Sequence, residues 1–187
     1  THTAAFEERF RATLMRKPEN ELASKEYLNK YEHNQIGKSS KRIQYSNYGM
    51  GTLGVLLEDV TGMSYRQYLE KNVFQPLEMN NTYIETPKYL PIEEIAQEHA
   101  LKDGEISKQN FYYKAPAYLG SGGLFYTAHD MALFMNSILN NSDKILETKT
   151  WKEIKSVKES QNPYTGVGYG FWIYEMGKNE VNDYWNE

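Results

Sequence analysis

None of the 187 residues is a cysteine, which excludes disulfides, thiolate metal ligands and a cysteine nucleophile in one step. No run of about eighteen apolar residues occurs, so no segment is built to cross a bilayer as a helix. The first residues lack the charged start and short apolar stretch of a secretory leader, and the chain opens at Thr1 instead of a methionine, which points to a processed or excised piece. Charge of one sign is also scarce. Lys and Arg number 21 against 25 Asp and Glu, for a net charge of -4, and the basic residues are scattered, so the electrostatic footprint of a nucleic-acid binder is missing. The four histidines, His2, His33, His99 and His129, lie far apart and outside any H-E-x-x-H, which gives no metal site on spacing. There is no P-loop and no G-x-S-x-G elbow, and "GMGTLG" matches G-x-G-x-x-G without following a strand of a βαβ unit. No metal and no cofactor are therefore expected.

What is present suits a folded domain. The sequence is 40% hydrophobic and 14% aromatic, with 16 tyrosines, and its length allows one compact core with an appended subdomain. Phe6, Phe10 and Leu14 form a helical row closed by Pro18, and Asn20 can cap a second helix carrying Leu22, Leu28 and Tyr31. Met50, Leu53, Leu56, Leu57 and Val60 fall at steps of three and four, predicting a buried helical face that Gly62 stops. Ser64 with Gln67, Thr127 with Asp130, and Thr150 with Glu153 each have the spacing of a capping box. Residues 82–118 read as loops with one helix near 91–99 and a Lys-Asp-Gly turn at 102–104. Residues 169–176 are aromatic and β-branched, "GKN" turns the chain, and 180–185 run back, which predicts a hairpin. The expected fold is α+β: a single partial domain, mainly helical over 1–160, with residues 161–187 forming a β-hairpin of an incomplete antiparallel sheet.

The residues that could carry chemistry have local alternatives. In "IQYSNYGMGTLG", Ser46 or Asn47 is a natural N-cap for the helix that follows, and Tyr45 is one tyrosine among many. The glycines of "LGSGGL", at 120, 122 and 123, suit a tight turn into the next helix.

These segments, taken together, resemble the serine β-lactamase-like and penicillin-binding group, in the branch of class C β-lactamases, D-alanyl-D-alanine carboxypeptidases and esterases. "THTAAF" is similar to that family's "THTSG"; "YSNYGMGTLGVLLEDVTGMSYRQYLEKNVFQPLEMNNTYI" is similar to its Tyr-x-Asn motif and the helices after it. "GSGGLFYTAHDMALFMNSIL" resembles its glycine pair and "TA-x-DMA" helix, and "YGFWIYE" its next strand. The resemblance implies a partial β-lactamase/transpeptidase-like fold and acyl transfer through a serine. Tyr45 would be the catalytic proton-transfer group. Asn47, Ser121 and Gly122 would bind substrate, a cell-wall peptide or a small acyl compound in the parent. A free phenol titrates at about pH 10, so a tyrosine acts as a base near neutrality only beside a cation, which the family's S-x-x-K lysine supplies. Gly122 falls where class C β-lactamases carry a pocket-wall tyrosine, which opens that wall.

Two of the family's three motifs are missing. No serine here is followed three places later by lysine, and "KTW" at 149–151 is neither K-T-G nor H-x-G. The nucleophile is thus not in this sequence. The resemblance places S-x-x-K upstream of "THT" and H-x-G downstream of the hairpin, so the expectation is an internal segment of a longer serine hydrolase, inert by itself. A non-catalytic relative that binds cell-wall peptide or a protein is the alternative. An extracytoplasmic parent, with or without a membrane anchor, follows from the family. The unpaired edge of the C-terminal hairpin predicts self-association.

Overall fold

The computed structural model describes residues 43–84, 95–97, 99–108, 119–156, 158–162 and 165–174. The helices expected at 4–15 and from Asn20, the "THT" segment and the return strand at 180–185 lie outside the described residues. The described elements mix helices with three small antiparallel sheets, an α+β arrangement.

Helix α1, Asn47–Thr61, begins where Ser46 adopts extended backbone and its hydroxyl accepts from the Gly49 N–H at 3.0 Å. It ends at Gly62, which takes φ 67 and donates its N–H to the Glu58 carbonyl. Both ends follow the sequence. The buried face does not. Gly51, Gly54 and Val55 are buried, whereas Leu53, Leu56 and Val60 are each more than half exposed, so the expectation of a leucine-lined core face is corrected to a glycine-lined one. The reason is a close approach. The 3₁₀ turn Leu119–Ser121 lies against α1, and a Cβ on Gly54 would stand 3.1 Å from the Gly120 backbone.

Helix α2, Tyr65–Leu69, carries the expected reciprocal box. The Ser64 hydroxyl accepts from the Gln67 N–H at 3.2 Å, and the Gln67 side-chain oxygen accepts from the Ser64 N–H at 3.1 Å. A π turn, Glu70–Phe74, widens the helix before Pro76. That widening delivers Phe74 into the core with Leu77, Met79 and Ile84, against which Tyr65, Leu69, Val73, Leu119, Leu133, Phe134 and Ile145 pack. Burial pushes the Tyr65 phenol above its ordinary pKa of 10.0. Above about pH 10 the unfolded chain releases that proton before the folded one does, so folding stability falls as pH rises. A Tyr65→Phe variant is expected to show a shallower alkaline loss of stability than the wild type in urea titrations; equal slopes would remove Tyr65 as a cause.

Strand β1, Tyr83–Ile84, pairs antiparallel with a later strand at Leu124–Phe125. Between them, β2 (His99–Lys102) and β3 (Glu105–Lys108) form a hairpin closed by Asp103 and Gly104 at φ 54 and 85. The Lys-Asp-Gly turn thus stands where the sequence puts it, but His99 opens a strand and not a helix end. The Leu124–Phe125 strand, β4, leads into α3, Ala128–Leu139.

Thr127 caps α3 by accepting from the Asp130 N–H at 3.2 Å, but the box is only half made. The Asp130 carboxylate turns away, and one oxygen accepts from the Asn81 N–H at 2.7 Å and the Thr82 hydroxyl at 2.8 Å. A tertiary clamp has taken the group a local box would use. Helix α4, Thr148–Ile154, starts with Glu147 at its N-cap and no side-chain cap bond, which corrects the Thr150–Glu153 box by one turn. Its start is set by Trp151, which is buried and donates its indole N–H to the Ser142 carbonyl at 2.8 Å. Lys155 then reaches back to the Ile138 carbonyl at 2.9 Å and the Asn141 side-chain oxygen at 2.6 Å, supplying a cation to the end of α3.

The last sheet has order β5 (Glu159–Asn162), β6 (Thr165–Val167), β7 (Trp172–Tyr174). Strand β7 lies inside the stretch expected to be extended, but its partner among the described residues is β6, upstream. Neither β5 nor β6 is legible by pattern: "ESQN" has no β-branched or aromatic residue, and in "TGV" the β-branched Thr165 and Val167 are split by Gly166 in a run of three, too short to stand out.

Candidate functional site

Ser46 is buried and committed to capping α1, which makes it a spacer between two side chains placed on either side of the cap. Tyr45, half exposed, donates its hydroxyl to the Asn47 amide oxygen at 2.9 Å. With its oxygen so engaged, the Asn47 amide turns its NH₂ away from the phenol. The pair therefore presents a phenol and an orientated amide at the mouth of a helix N-terminus, whose partial positive charge favours negative charge nearby.

The second segment reaches the same helix from afar in sequence. Gly120 lies so near α1 that a Cβ there would meet the Met50 carbonyl oxygen and stand 3.0 Å from the Gly54 nitrogen. Met50 and Gly54 are about 5 and 11 Å along the axis from Asn47 at the usual rise, so the Leu119–Ser121 turn is seated beside the first turns of α1. Ser121 is half-buried, and Gly122 is exposed, its N–H donating to the Leu119 carbonyl at 3.2 Å. Gly123 takes φ 87, the left-handed turn that frees the chain to enter β4. The structure thus joins the Tyr45–Asn47 segment and the Ser121–Gly122 segment along one helix.

Asp130 is the residue that sequence reasoning assigned to the wrong partner. It is 1% exposed and ties Asn81 and Thr82 to the start of α3, on either side of the β1–β4 ladder. That ladder anchors the strand leaving Gly123. Its local signal, T-x-x-D, announced a cap and concealed a clamp. Gly51 and Gly54, two glycines of "GMGTLG", are both buried on α1, and it is at Gly54 that the Gly120 backbone comes close. Among the described residues, no group of three His, Asp or Glu could hold a metal ion, and no helix is long and apolar enough to cross a membrane.

A family model described as Beta-lactamase matches residues 1–184. The chain belongs to that family, the serine β-lactamases and penicillin-binding proteins. It is 30% identical over 139 residues to a beta-lactamase of Escherichia coli K12, covering 74% of this chain and 34% of that protein. It is 27% identical over 135 residues to a Salmonella typhi protein named as a D-alanyl-D-alanine carboxypeptidase, covering 59% and 31%. Among solved structures, a penicillin-binding protein of Bacillus halodurans superposes with a TM-score of 0.77 at 21% identity, covering 94% of this chain and 54% of that one. A D-amino acid amidase of Ochrobactrum anthropi does so with a TM-score of 0.76 at 21% identity, covering 95% and 54%. These two likenesses establish the fold: a part of the β-lactamase/penicillin-binding architecture. The chain spans about a third of the length of the curated relatives it matches, 34% and 31%.

Proposed function

We propose that this family member supplies one side of the active site of a serine hydrolase, acting by acyl transfer on D-alanyl-D-alanine peptides, β-lactams or related esters and amides. The observation that carries the reading is the Tyr45–Asn47 hydrogen bond at the mouth of α1, with the Ser121–Gly122 segment seated on the same helix. Acyl transfer needs a group that moves a proton between nucleophile and leaving group, and a polar group that holds the acyl side chain in line. Tyr45 takes the first role and Asn47 the second. Ser121 and Gly122 form the opposite wall, where the missing side chain at Gly122 leaves room for a bulky acyl substituent.

The names of the relatives converge on amides of D-configured amino acids and on β-lactams. No S-x-x-K occurs in this sequence, so the nucleophile and the lysine that would stabilise phenolate character come from outside it. The chain alone is accordingly inert, since a covalent pathway cannot start without its nucleophile. The parent works outside the cytoplasmic membrane, where such peptides are found.

A fluorescent penicillin is expected to leave the chain unlabelled, and intact-mass measurement is expected to show no adduct; a stoichiometric serine adduct would overturn the inert reading. In an NMR titration, D-alanyl-D-alanine peptide is expected to shift the amides of Asn47, Ser121 and Gly122, while the L,L peptide leaves them in place. Shifts confined to other residues would remove this assignment of the site. The second reading, a non-catalytic binder of cell-wall peptide, is favoured if the chain alone binds the D,D peptide at micromolar concentration.

A further inference from the structure

Ser46 sits between the two candidate side chains and faces the other way. Its backbone is extended, at φ -151 and ψ 109, and along extended backbone successive side chains alternate in direction. Tyr45 and Asn47 therefore share one side, where the phenol meets the amide oxygen at 2.9 Å, and Ser46 takes the opposite one. Exposure follows the same alternation, since Tyr45 is 51% exposed and Ser46 2%. Serine and asparagine are both among the strongest N-caps, so two adjacent residues compete for the start of α1. Ser46 holds it. Its hydroxyl accepts from the Gly49 N–H at 3.0 Å and its carbonyl from the Met50 N–H at 3.2 Å, which makes Asn47 the first helical residue.

We infer that Ser46 is a positioning residue: by occupying the cap, its buried hydroxyl keeps the Asn47 amide off the helix end and on Tyr45. The importance of that pair rests on the acyl-transfer reading, whereas the competition for the cap does not. Without the Ser46 hydroxyl the Gly49 N–H loses this acceptor, and the next residue able to serve as a cap is Asn47. A cap has non-helical backbone, and its side-chain oxygen accepts from the N–H two or three residues on, which for Asn47 means Gly49 or Met50. The helix then starts one residue later. Asn47 leaves helical backbone, and its amide oxygen turns from the phenol to the orphan N–H groups of the first turn. The middle residue of Tyr-x-Asn thus decides whether the amide serves the site or caps its own helix. Threonine and aspartate keep an oxygen in the cap, and alanine does not.

The test is NMR on the whole chain, read first without ligand. Ser46→Ala is expected to move the Asn47 Cα and Cβ chemical shifts from helical to extended values and to abolish NOE contacts between the Tyr45 ring and the Asn47 side chain. Ser64→Ala is the control, because it removes the same hydroxyl from the same kind of cap, where Ser64 accepts from the Gln67 N–H at 3.2 Å. It lies past the far end of α1, about 20 Å along the axis from Asn47 at the usual rise. Each alanine is expected to lower the folded-to-unfolded ratio by about fivefold, but only Ser46→Ala is expected to move Asn47. Ser46→Thr and Ser46→Asp are expected to restore the helical Asn47 shifts. With D-alanyl-D-alanine peptide added, the Asn47 response is expected to be lost in Ser46→Ala while those of Ser121 and Gly122 persist. Helical shifts and ring contacts that survive in Ser46→Ala, the same changes in Ser64→Ala, or recovery in neither Ser46→Thr nor Ser46→Asp would each overturn the positioning role. A wild type in which Asn47 ignores the D,D peptide would remove the substrate reading instead, and the ligand-free shifts would still decide the role of Ser46.

Discussion

Asp130→Ala is expected to cost roughly 3 kcal/mol of folding stability, because two hydrogen bonds to a buried carboxylate are lost and the Thr82 hydroxyl is left buried without them. Such a loss is a large fraction of what holds a domain of this size folded. One contribution runs the other way: the second carboxylate oxygen, Oδ1, is buried with no hydrogen-bond partner, and its removal relieves that cost. The bonds outweigh it, since they join elements 48 and 49 residues apart in sequence, and the loop closed between them has no local substitute. Both donors meet the same oxygen, Oδ2, so Asp130→Asn keeps one oxygen able to accept from both, without the charge that strengthens them and with an NH₂ in place of the unpartnered Oδ1, and is expected to fall between wild type and alanine. Urea denaturation checks this through the midpoint at constant slope. An alanine variant within about 0.5 kcal/mol of the wild type would show that the clamp is not what holds β1 to α3.

Gly120→Ala is expected to be the other severe change, for a reason of space and not of backbone freedom. The added Cβ would run into the Met50 carbonyl oxygen and crowd the Gly54 nitrogen and Cα at 3.0 and 3.2 Å. All three atoms are backbone and cannot rotate aside, so the Leu119–Ser121 turn must lift off α1. The expected cost is about 2–3 kcal/mol. Because Ser121 and Gly122 move with the turn, the D-alanyl-D-alanine shifts at those residues are expected to disappear while those at Asn47 persist. Gly62→Ala makes the comparison: nothing lies within 4 Å of its Cβ position, and only its φ of 67 opposes the change, so it should cost about 1 kcal/mol and leave binding shifts unaltered. Equal losses at both glycines, or an unaltered Ser121 response in Gly120→Ala, would contradict the close-approach account.

Local chemistry was legible where the partner of a group lies within a turn of it. Ser46, Gly62, the Ser64–Gln67 box and the Lys-Asp-Gly turn all act within four residues, and each stands as the sequence implied. The cap at Ser46 was legible in the same way, whereas Tyr45 and Asn47 stood out only through the resemblance of their segment to the family's Tyr-x-Asn motif. Legibility failed where a distant group competes for the same atoms. Periodicity assigned Leu53, Leu56 and Val60 to a buried face, yet a turn some 60 residues later took the glycine face instead, because only there can two backbones touch. Asp130 had the spacing of a box, but Asn81 and Thr82 supply two donors to its carboxylate where a box would supply one.

The family, the α+β class and the choice of Tyr45, Asn47, Ser121 and Gly122 as candidates came from the sequence alone, through the resemblance carried by the contiguous segments around "YSN" and "GSGGL"; residue type and spacing by themselves left only a helix cap, one tyrosine among many and a tight turn. The tertiary structure decided which helix face is buried, which partner Asp130 holds, how β5, β6 and β7 pair, and that the two halves of the candidate site share one helix. Those depend on contacts between segments far apart in the chain, whose energies are set by shape and by competition for hydrogen bonds, and no local pattern carries that information.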